Sequence, residues 1–105
     1  MVMNDYRVRF TAVAEDPLGT DAAVRLAQAL ENMPGVGRVE GAQQDDEARR
    51  VSAGFWIDVR LGMADAARDG SRLAKEALKG AGMSEAQLVE LAVSLGAADS
   101  NRGGG

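Results

Sequence analysis

Cysteine and histidine are both absent from this chain of 105 residues. Without cysteine there is no disulfide, no zinc–thiolate centre and no thiol nucleophile. Without histidine the commonest general base near neutral pH and the commonest metal ligand are missing as well. Lysine is almost absent: only Lys75 and Lys79 occur, too few for the polybasic patch that docks on anionic lipid. The formal net charge of −4 runs against the basic surface that phosphate neutralisation requires, so nucleic acid is not an expected partner. No apolar run approaches membrane-spanning length, and Met1-Val2-Met3-Asn4-Asp5 lacks the basic and apolar regions of a signal peptide. These absences lead to the expectation of a cytoplasmic protein with no membrane partner, no metal and no cofactor.

Aromatic residues are scarce too. Tyr6, Phe10, Phe55 and Trp56 are the full set, so the core must be built mainly from Ala, Val and Leu. A chain of this length holds one domain with one thin core. The expected domain spans 1–96, and the small, polar, glycine-rich segment 97–105 is expected to be a flexible tail.

The strongest pattern present is Val51–Leu61. Its odd positions, Val51, Ala53, Phe55, Ile57, Val59 and Leu61, are all apolar, while Ser52, Gly54, Asp58 and Arg60 alternate with them. This is the period of a strand with one face buried and one open. Trp56 breaks the alternation, a large aromatic on the side that should be wet.

Around this strand the chain divides into recognisable segments. Tyr6–Ala14 alternates as a first strand, with Tyr6, Val8, Phe10, Ala12 and Ala14 on one face and Arg7, Arg9, Thr11 and Val13 on the other. Glu15–Gly19 is a break, after which Thr20 or Asp21 can cap a helix, with Asp16-Pro17 as an earlier start. Ala23, Leu26, Ala27, Leu30 and Met33 recur at helical spacing until Pro34-Gly35 stops them. Val36–Ala42 reads as a short, irregular edge strand carrying Gly37 and Gly41. A second helix runs from about Ala64 to Lys79, with Gly70 as an interior weak point tolerated where the helix backbone lies close to the sheet.

Gln87–Leu95 supports two readings. Val89, Leu91, Val93 and Leu95 alternate like a strand facing the helices, with Leu88 and Glu90 on the open side. Ser84-Glu85-Ala86-Gln87 also resembles a capping box leading a helix. The strand completes the order strand, helix, strand, strand, helix, strand. That is the α+β, ferredoxin-like split βαβ arrangement: a four-stranded antiparallel sheet with both helices on one face and the first and third strands at its centre.

Leu30-Glu31-Asn32-Met33-Pro34-Gly35-Val36 resembles the helix-to-strand turn of heavy-metal-associated domains and of small regulatory amino-acid-binding domains with this fold. The metal-associated family carries a Cys-x-x-Cys pair before its first helix. Here Glu15-Asp16-Pro17-Leu18-Gly19-Thr20 stands there, so copper or zinc carriage is not implied.

The candidate site is the open sheet face: Trp56, Arg7, Arg9, Asp58 and Arg60, flanked by Arg38 and Glu40 on one side and Leu88 and Glu90 on the other. An exposed Trp packed by arginine stems is ordinary surface. Trp and Arg are also the residue types enriched at interface hot spots. RNA-recognition domains share this layout and stack bases on central-strand aromatics. The parity of Gly54-Phe55-Trp56-Ile57 opposes that use, because exposing Phe55 would bury Trp56 and Asp58. Asp45-Asp46-Glu47 lacks further ligands at metal-binding spacing and reads as solvated charge. Asp58 with Arg60 or Arg9 reads as a cross-strand ion pair.

The expected function is a non-enzymatic protein-interaction or self-association domain using the open face around Trp56, with a protein partner and a homo-oligomeric state. The alternative is a small-molecule-binding domain or minimal enzyme, with its site on the same face or in the 15–20 loop.

Overall fold

A computed structural model of the chain describes residues 4–45, 47, 49–59 and 62–95. Six elements follow one another: β1 (Asn4–Val13), α1 (Ala22–Glu31), β2 (Arg38–Gln44), β3 (Arg50–Val59), α2 (Met63–Gly80) and β4 (Gln87–Leu95). The strands form one antiparallel sheet in the order β2-β3-β1-β4. This is the α+β, ferredoxin-like arrangement, with β1 and β3 at the centre. The expected tail at 97–105 lies outside the described residues, as do Arg60 and Leu61.

Alternation along the two central strands sorts the sheet into a dry face and an open one. Tyr6, Val8, Phe10 and Ala12 from β1 are buried with Val51, Ala53, Phe55, Ile57 and Val59 from β3. Phe10 and Phe55 meet edge to face, ring centroids 6.1 Å apart. Ala22, Leu26 and Leu30 of α1 join the same cluster as Ala66, Leu73, Ala74, Ala77 and Leu78 of α2, so both helices lie on one side of the sheet. Each fully buried Leu or Phe there contributes roughly 1.5–3 kcal/mol. Gly70 supplies the close approach its sequence position suggested: a Cβ on it would lie 3.0 Å from both methyls of Val8. Among the described residues, no helix is long and apolar enough to cross a membrane.

The start of α1 differs from expectation. Asp21 occupies the N-cap position but makes no side-chain cap. Gln44, at the far end of β2, does so instead: its Oε1 accepts from the Ala23 N–H at 2.8 Å and its Nε2 donates to the Gly19 carbonyl at 3.0 Å. The Asp21 carboxylate accepts from Arg25 Nε at 3.1 Å. Arg25 also donates to the carbonyls of Leu18 and Ala81, tying the first helix to the end of the second. There Gly82, at φ +82°, takes the left-handed conformation, and the Met83 N–H reaches back to the Leu78 carbonyl at 2.8 Å.

Gln87–Leu95 is a strand, and the helical reading is set aside. Ser84 and Glu85 lie in a turn closed by the Ala86 N–H donating to the Met83 carbonyl at 3.0 Å. The expected facing of this strand is corrected at one end. Glu90 lies opposite Thr11 and Leu88 opposite Ala12, so Val89 is an extra residue in a β-bulge. The bulge returns Leu88 to the core side, where it packs beside Leu91 and Val93, and leaves Val89 59% exposed.

Candidate site on the open sheet face

Trp56 stands at the middle of β3, opposite Arg7 on β1 and Arg38 on β2. A second bulge, in β2, decides what surrounds it. Val39 lies opposite Phe55 and Gly41 opposite Gly54, so Glu40 is the extra residue. Gly41 holds φ at +126°, a value that residues with a Cβ rarely adopt. The Glu40 side chain settles over Gly54, where a Cβ would come within 3.0 Å of its Oε1. The missing side chain at position 54 is therefore what makes room for the carboxylate.

From that position Glu40 gathers two donors. Arg7 Nε donates to Oε1 at 2.9 Å and Trp56 Nε1 donates to Oε2 at 2.8 Å. The Arg38 guanidinium lies over the indole, 4.9 Å from the ring centroid, a cation–π geometry. Partial desolvation works to raise the Glu40 pKa, but the hydrogen bonds from Arg7 and Trp56 and the charges of Arg7 and Arg9 outweigh it. The carboxyl is held below its ordinary value and stays ionised as an acceptor. The half-buried Trp56 is thus fixed on both its polar edge and its face.

Beside this constellation the sheet face is concave. A recess of about 800 Å³ is bordered by Arg7, Arg9, Glu40, Ser52, Gly54 and Glu90. On its floor the Thr11 and Ser52 hydroxyls are hydrogen-bonded at 3.0 Å. Arg9 borders the recess with its guanidinium in no hydrogen bond or ion pair among the described residues.

The structure thus brings Trp56, Arg7 and Arg9 together. Asp58 stands apart, at the end of the face opposite Asp5. Its expected pairing with Arg9 does not form, because the register places Gly54 opposite Arg9. Arg60 lies outside the described residues. Glu90, expected from its open-face position to meet Arg7 or Arg9, lies opposite Thr11 and pairs with neither among the described residues; the ion pair of Arg7 is with Glu40. The central role of Glu40 went unread in the sequence, although the two glycines inside strands, Gly41 and Gly54, are the ordinary signal of a bulge and of a close approach.

Other candidates resolve simply. Phe55 and Ile57 are 0% and 3% exposed, so the strand parity that an RNA-stacking face needs is not present. Asp45 closes the hairpin between β2 and β3, its Oδ1 accepting from the Arg49 and Arg50 N–H groups at 2.8 and 3.2 Å. Among the described residues, no three acidic side chains converge to hold a metal ion. No protein-family model matches the chain, and no curated protein matches it in sequence.

Proposed function

We propose that this chain is a non-enzymatic interaction domain whose contact surface is the open sheet face centred on Trp56, with a protein as partner, either a second copy or another chain. The observation that carries this reading is the fixing of Trp56 by Glu40, itself held by Arg7, and by Arg38 on the face the helices leave uncovered. A half-buried aromatic that is already ordered loses little side-chain entropy on contact, and aromatic and Arg anchors dominate binding energy at interfaces. The test is light scattering together with crosslinked capture, run in parallel on the wild type and on Trp56→Glu. Loss of self-association or of a specific crosslinked partner, with an unchanged melting temperature, supports the proposal. Identical behaviour of the two proteins overturns it.

A second reading draws support from the recess, whose volume falls in the range of small-molecule sites. Arg9, the Thr11–Ser52 hydroxyl pair and Glu90 would then supply the polar contacts. A metabolite that raises the melting temperature of the wild type but not of Arg9→Ala would favour it.

A further inference from the structure

The sheet has two free edges, and they are built differently. The β2 edge carries Arg38 and Glu40 and is broken by the bulge at Glu40, the charges and irregularity that keep an edge from pairing. The β4 edge, Gln87–Leu95, carries one charge, Glu90, with no proline and no lysine. Four large hydrophobic side chains are exposed among the described residues, and two of them, Val89 at 59% and Leu95 at 39%, belong to this strand. Its inward row of Leu88, Leu91 and Val93 packs on the core yet is only partly buried.

We infer that β4 pairs antiparallel with β4 of a second copy, joining two four-stranded sheets into one. The strand's own sequence supports this occupant. A two-fold axis at Ala92 sets Leu91 opposite the partner's Val93, Val89 opposite the partner's Leu95 and Glu90 opposite the partner's Ser94. Apolar side chains meet apolar ones, and the lone carboxylate meets a hydroxyl instead of its own copy. The bulge at Val89 bends one end of the strand, so the ladder is centred on Leu91–Val93. The pairing is isologous and uses up both β4 edges, while the guarded β2 edges stop growth, so the product is a closed dimer and not a fibre. The Trp56 face stays open in this dimer, so the inference stands apart from the proposed function.

The experiment is sedimentation equilibrium of the full chain as wild type, Ser94→Lys, Ser94→Glu and Trp56→Glu. Ser94 is exposed, and all four proteins are first checked for equal melting temperatures. A wild-type dimer is expected, tightened by Ser94→Lys beside the partner's Glu90 and loosened by Ser94→Glu. The two variants' dissociation constants should differ by roughly tenfold or more. A wild-type monomer overturns the inference. So does a dimer indifferent to both Ser94 variants but dissociated by Trp56→Glu, which would place self-association on the open face instead.

Discussion

The indole N–H of Trp56 donates to Oε2 of Glu40 at 2.8 Å, across a bulge that has no counterpart in the alternation of either strand. This bond, with the Arg7 bond to the other oxygen, makes Glu40 the keystone of the open face. Glu40→Gln should weaken both bonds and shift the emission of Trp56, the single tryptophan, which reports on the site without interference. The loss of stability should stay below about 1 kcal/mol, since the pair keeps partial contact with solvent.

Acid should reproduce that effect. The Glu40 carboxyl is lowered in the folded state, so its stabilising contribution is complete above the unfolded carboxylate value and is lost as pH falls through the lowered folded value. Wild type should show a Trp56 emission change in that acidic window that Glu40→Gln lacks. Superimposable acid titrations of the two proteins would contradict the assigned bond.

Gly54→Ala probes the space the carboxylate occupies. A Cβ there meets the mobile end of Glu40 at 3.0 Å, so the side chain should be displaced while the core is untouched. The Trp56 emission should change as in Glu40→Gln, and urea denaturation should show stability altered by less than about 1 kcal/mol.

Gly70→Ala should run against helix propensity. Alanine gains about 1 kcal/mol over glycine in a helix interior, but here its methyl lands 3.0 Å from both Val8 methyls. Overpacking of that kind costs roughly 1–3 kcal/mol, so the net change in urea denaturation should be destabilising. Val8→Ala in the same chain should recover part of the loss, which a double-mutant cycle reads directly.

Gln44→Ala removes the acceptor at the start of α1. A loss of about 1 kcal/mol is expected, as for other helix caps, with amide exchange at Ala23 accelerated. Asp21→Ala should leave that exchange rate unchanged, because Asp21 does not cap.

The fold was legible because period-two alternation in the two central strands and helical spacing in the two helices agree with the stops at Pro34-Gly35 and Gly80–Gly82. The site was legible in part. Trp56 and Arg7 stood out as types on an open face, whereas Glu40 reaches them only through a one-residue insertion that alternation cannot register. The bulge at Val89 reversed the facing of Leu88 for the same reason. Gln44 was invisible as a cap because it lies twenty-one positions from the N–H it binds, and local spacing carries no such information.

The central claim, that the Trp56 face is the contact surface, is tested most directly by hydroxyl-radical footprinting of Trp56 on dilute purified protein and on the same protein in an extract of its own cells. The expected result is a several-fold slower oxidation of Trp56 in the extract, restored to the dilute rate in Glu40→Ala, with Met63 on the far side of the fold unaffected. Equal oxidation of wild-type Trp56 in the two settings would contradict it.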